Sequence, residues 1–160
     1  MPPSLAELSS ALIGAFEGPE KLTAFKDPGG VWTIGRGHTL NVKAGDTCTH
    51  NESVAYFTAD QAPLLAMVAS EPLVKAAAFV SFGYNVGRAA LHAVLMGADN
   101  ITNPLHTTDK HGNVQPGLVS RRLLERLLVD SASPQIIPVP VPSGHTNATA
   151  DGEGLVSGGR

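Results

Sequence analysis

Between Phe16 and Thr39 the chain abandons helical periodicity for strand chemistry, with helix signatures on both sides of the break. Phe25, Val31, Trp32, Thr33 and Ile34 favour strands, and Pro28-Gly29-Gly30 among them is a strong turn signal. Gly35 and Gly37 mark bends or places of close packing. The stretch predicts a small antiparallel hairpin near the N-terminus of a mostly helical chain, which makes the fold α+β.

The flanking helices are legible from their ends. Ser4 with Glu7 makes a capping-box pattern just behind Pro2 and Pro3. Leu5, Leu8, Leu12, Ile13 and Phe16 then recur on one face, so residues 4–16 read as a helix that Gly18 and Pro19 end. Thr49 with Glu52 repeats the cap and opens a segment carrying Val54, Phe57, Leu64, Leu65 and Val68. Pro63 lacks a backbone donor and predicts a kink or a split there.

Residues 73–96 are the most apolar stretch, centred on Ala76-Ala77-Ala78-Phe79-Val80. They predict a long buried central helix, or two joined near Gly83 or Gly87, too interrupted to cross a membrane. Residues 97–117 read as polar loop, and 118–129 as a last helix bearing Arg121, Arg122, Glu125 and Arg126. From Ser131 the composition turns to Pro, Gly and Ser with no periodic apolar face. The organisation expected is therefore one domain over 1–130 and an extended or disordered tail over 131–160.

Bulk properties exclude more than they reveal. A formal charge of −3 offers no basic excess, so nucleic acid is not an expected partner. Cys48 is the one cysteine, so no intramolecular disulfide forms. The first residues, Met-Pro-Pro-Ser-Leu-Ala-Glu-Leu, carry neither a secretory signal pattern nor a membrane span. Of the six histidines only His106 and His111 are close in sequence, and neither has a companion ligand at metal-binding spacing. No metal and no cofactor are expected.

Two carboxylates frame the hairpin: Glu17 at the end of the first helix and Asp27 before the Pro-Gly-Gly turn. Hydrolysis of a glycosidic bond needs such a pair, one to protonate the leaving oxygen and one to handle water or developing positive charge. Glu17 suits the acid, because the helix C-terminal dipole and apolar Phe16 both disfavour the ionised form. Each residue also has a blander reading. A Glu at a helix end is commonly solvated, Asp before Pro-Gly is a common turn starter, and Thr33 is simply a good strand residue. Glu20, separated from Asp27 by six residues, reads as solvated surface.

Four blocks in order resemble the phage-type lysozymes, glycoside hydrolase family 24. They are Phe16-Glu17-Gly18; Asp27 to Thr39; Ser81-Phe82-Gly83-Tyr84-Asn85-Val86-Gly87; and Gly117-Leu118-Val119-Ser120-Arg121-Arg122 with Glu125. The resemblance spans about residues 8–128 and leaves the tail outside. It implies a catalytic set of Glu17, Asp27 and Thr33, with Thr33 assisting the attacking water. It further implies a structural ion pair of His38 with Asp60, a cleft role for Asn85, and Arg121 reaching back to Glu17. For Arg121 and Arg122 the competing reading is a solvated helix face, with Glu125 as the (i, i+4) partner of Arg121.

Two departures stand out. Nine residues separate Glu17 from Asp27, one more than the family's usual gap, and the extra residue falls between Gly18 and Leu22. The segment 88–116 is shorter than is usual and lacks aromatic-rich helices. The gap from Asp27 to Thr33 keeps the family's five residues.

The implied activity is that of a muramidase cutting bacterial peptidoglycan between N-acetylmuramic acid and N-acetylglucosamine. The implied route is synthesis in the host cytoplasm, then holin-dependent release to the wall, as a monomer that does not insert into membranes. The alternative class is a non-catalytic peptidoglycan-binding or virion-associated protein on a lysozyme scaffold. Lytic transglycosylase chemistry needs no water-positioning carboxylate, so Asp27 counts against it.

Overall fold

Ser4 and Thr49 both cap helices as their spacing predicts. In each case the side chain accepts from the third residue's N–H while that Glu returns to the cap's backbone N–H. The computed structural model describes residues 1–27 and 29–132. The tail expected over 131–160 lies outside the described residues from 133 onward, and Ser131 still belongs to the last helix.

The described elements run α1 (Leu5–Glu17), β1 (Lys21–Lys26), β2 (Trp32–Gly35), α2 (His50–Met67), α3 (Leu73–Val86), α4 (Arg88–Leu95), a single 3₁₀ turn (Pro104–His106) and α5 (Pro116–Ser131). The strands pair antiparallel, with Phe25 opposite Thr33 and Lys26 opposite Trp32. The pairing is irregular between Lys21 and Phe25. Residues 46–48 run along the other edge of β1, where Ala24 N–H donates to Asp46 O and Cys48 N–H donates to Leu22 O.

Pro63 does not split α2, which is continuous through Met67. Proline removes the bond to the carbonyl four residues back, here Ala59, on the exposed side of the helix where water can replace it. The opposite face buries Phe57 and Leu64, and that packing carries the helix past the missing bond.

Residues 76–83 of α3 are buried without interruption, the pattern of a helix enclosed on all sides. α3 packs against α1, α2, α4 and α5, and Ile13, Phe57, Leu64, Phe79, Val80, Phe82 and Leu91 form one core around it. Burying each such aliphatic or aromatic side chain contributes about 1.5–3 kcal/mol. Gly83 permits close approach, since a Cβ there would stand 2.8 Å from Leu91 Cδ2 and 2.9 Å from Leu64 Cδ2. Of the two expected joints, Gly87 is the real one. Its φ of 98° ends α3 and starts α4, a backbone conformation natural to glycine.

Candidate active site

α1 ends at Glu17 because Gly18 turns the chain away at φ 72°. The Glu17 side chain remains 26% exposed, and its Oε1 accepts from Arg121 Nη1 at 2.6 Å. Asp27 closes the hairpin turn. Its Oδ1 accepts from Val31 N–H at 2.8 Å, its N–H donates to Val31 O at 3.0 Å, and its carbonyl accepts from Gly30 N–H at 2.9 Å. Asp27 is thus a turn starter whatever else it does. Thr33, buried on β2, donates its hydroxyl to Val31 O at 3.1 Å.

Glu17, Asp27, Thr33 and Asn85 line one cleft of about 610 Å³, a size ordinary for a small-ligand site. Lys21, Phe25, Arg36, Tyr84 and Val86 complete much of its wall. His38 and Asp60 meet beside it, with Nδ1 2.9 Å from Oδ2, and the His38 ring stacks on Tyr56. That contact ties the segment after the hairpin to α2.

Arg121 and Arg122 are not on a solvated face. Arg121 is 3% exposed and Arg122 1%. The helix face that bears them turns toward α3 and the last residues of α1, a placement that spacing within α5 alone does not reveal. Glu125 is the (i, i+4) partner of Arg121 as expected, its Oε1 3.1 Å from Arg121 Nε, but it is fully buried. Its Oε2 lies 3.1 Å from Arg122 Nη1. Ser81 on α3 donates to Glu125 Oε1 at 2.6 Å, and its carbonyl accepts from Arg121 Nη2 at 2.9 Å. Arg122 Nη2 donates to Asn85 Oδ1 at 2.6 Å. Burial pulls Arg122 down to about 10, opposed by Glu125, so it stays a cation at neutral pH. Burial likewise pushes Glu125 up, against the pull of Arg122, Ser81 and Arg121.

Glu20 is not plain surface either. It is half-buried and pairs with His50, away from the main cleft. The hydrogen bond with His50 holds its carboxyl below the usual range. Among the described residues no three His, Cys, Asp or Glu side chains gather as a metal site, and no helix is long and apolar enough to cross a membrane.

Three features escaped sequence reasoning as site components. The Tyr84 hydroxyl donates to Arg36 O at 2.9 Å, binding the hairpin's far end to α3. Ser81 and Glu125 hold the arginines from inside. The available signal was charge: an Arg-Arg-x-x-Glu run on a helix with apolar neighbours invites the question of where the charges point.

The family model described as phage lysozyme matches residues 14–125, a span that takes in Glu17, Asp27, Thr33, Asn85 and Arg121. The endolysin of Acyrthosiphon pisum secondary endosymbiont phage 1 is 27% identical over 150 residues, covering 80% of this chain and 99% of the relative. Among solved structures, the endolysin from Escherichia coli O157:H7 phage FAHEc1 superposes with a TM-score of 0.60 at 26% identity, over 83% of this chain and 98% of that one. The muramidase domain of SpmX from Asticaccaulis excentricus gives 0.59 at 25% identity, over 80% and 98% respectively.

Proposed function

The chain belongs to the phage lysozyme family, and from that premise we propose that it hydrolyses the β-1,4 bond between N-acetylmuramic acid and N-acetylglucosamine in peptidoglycan. The observation that carries this reading is the shared cleft: Glu17, Asp27 and Thr33 line it together although they come from a helix end, a turn and a strand.

In this mechanism Glu17 gives its proton to the glycosidic oxygen as the bond to the anomeric carbon breaks. Water attacks that carbon from the opposite face. Asp27 Oδ1 is committed to the turn, so Oδ2 is the oxygen that takes the proton from water. The Thr33 hydroxyl already donates to Val31 O, so it receives a hydrogen from the same water and fixes its orientation. The product inverts configuration at the anomeric carbon. Arg121 stabilises the Glu17 carboxylate left behind and holds the side chain in place before substrate arrives.

The same reading has the protein acting as a monomer, made in the host cytoplasm and released to the wall through a holin.

The test is digestion of purified peptidoglycan by wild type and Glu17→Gln, with mass analysis of the glycan ends. Wild type is expected to release reducing muramic acid ends, and the variant to do so about 10²–10⁴-fold more slowly. Anhydro ends would replace hydrolysis with transglycosylase chemistry. Pelleting with the glycan but making no new ends in either protein would make this a binding module.

A further inference from the structure

Glu125 sits at the centre of a buried network whose two arms end in the cleft. Through Oε1 it holds Arg121, which reaches Glu17. Through Oε2 it faces the Arg122 guanidinium as a charge contact without a hydrogen bond, and Arg122 reaches Asn85. Glu17 closes α1 and Asn85 stands one residue before the end of α3, so a single carboxylate on α5 is linked to side chains on two other elements. Ser81 locks the hub, donating to the same Oε1 that receives Arg121 Nε and offering its carbonyl to Arg121 Nη2. With its fork engaged on two edges, the Arg121 guanidinium has little freedom left at the atom that meets Glu17.

We infer that Glu125, locked by Ser81, is the positioning residue of the cleft, setting Glu17 through Arg121 and Asn85 through Arg122. It touches no substrate itself. The charge arrangement supports this. Two buried guanidiniums face one buried carboxylate, and Glu17, still partly in solvent, supplies the second negative charge. A network of this kind is worth little for stability compared with an apolar replacement, so its benefit is sought in geometry. Misplacing a reacting group by about 1 Å can cost on the order of a hundredfold in rate, which sets the scale of the effect.

The inference rests on Glu17 being the acid, and the experiment separates the two. Initial rates on solubilised peptidoglycan are measured for wild type, Ser81→Ala, Arg121→Met and the double variant, each well below its own unfolding midpoint. Ser81→Ala is expected to lower kcat about tenfold with KM little changed, and to lower it no further once Arg121 is gone. Glu125→Gln is expected to lower kcat about a hundredfold. If it does not fold, the Ser81 cycle decides alone. The ¹³C resonance of the Glu17 carboxyl, assigned in the full chain, is expected to move in Ser81→Ala even if glycan is never cut. Wild-type kcat in a folded Ser81→Ala, a loss that persists undiminished without Arg121, or an unmoved Glu17 resonance would each overturn the inference. Failure of the underlying reading looks different: wild type itself would release no ends.

Discussion

The two walls of the cleft are built on different physics. On the helical side Glu17 and Asn85 are held from behind by Arg121, Arg122 and Glu125, side chains buried between α1, α3 and α5. On the hairpin side Asp27 and Thr33 are both held through Val31, within four residues of either and next to solvent. One wall is anchored to the whole fold and the other to a local turn. A cleft made this way places its carboxylates by two independent means, so damage to one means need not disturb the other.

Stability measurements can break that comparison. Glu125→Ala leaves two buried guanidiniums without their shared counter-ion and is expected to cost roughly 3–5 kcal/mol by denaturant unfolding. Asp27→Asn, which keeps an acceptor for Val31 N–H, is expected to cost under about 1 kcal/mol. Equal losses would mean that the hairpin is anchored as deeply as the helices.

Gly83→Ala tests the helical wall at its tightest point. The added methyl would meet the side-chain ends of Leu91 and Leu64 under 3.0 Å, so those side chains or α3 itself must move. Overpacking of this kind costs about 1–3 kcal/mol, read as a lower unfolding midpoint. A neutral result would show that the core around α3 yields more easily than its contacts imply.

The smallest expected effect concerns the link between the walls. Burial raises Tyr84 above the usual phenol range, with Asp60 and Glu17 adding to the shift and Arg121 and Arg36 opposing it. A group whose folded pKa exceeds its unfolded one contributes fully below the unfolded value, about 10, and that contribution is lost as pH rises further. The unfolding midpoint of wild type is therefore expected to fall above about pH 10, as ionisation would also end the donation to Arg36 O. Tyr84→Phe is expected to flatten that decline while lowering the midpoint slightly at neutral pH. An unchanged slope would remove Tyr84 as the tie.

The readable parts of this protein are those written in short-range bonds. Ser4 with Glu7 and Thr49 with Glu52 satisfy backbone groups three residues away, and Pro28-Gly29-Gly30 needs no distant partner to signal a turn. The joint between α3 and α4 narrows in sequence to Gly83 or Gly87, and the fold puts it at Gly87, at a φ that glycine adopts freely. Pro63 shows where local reasoning stops short: of the kink or split it predicts, the split does not occur, since α2 runs unbroken through Met67. Its missing donor is a local fact, but whether the helix survives depends on what Phe57 and Leu64 bury on the other face.

By itself, then, the sequence determined the order of elements, the hairpin between capped helices and the four blocks that mark the family. Only the tertiary structure decided that Arg121, Arg122 and Glu125 are interior and that Ser81 locks them; the reach of Arg121 to Glu17 across 104 residues of chain is one the resemblance already implies. The reason is physical. An (i, i+4) charge pair looks the same in sequence whether its helix face meets water or protein, and the side it faces is set by how α5 packs against α3.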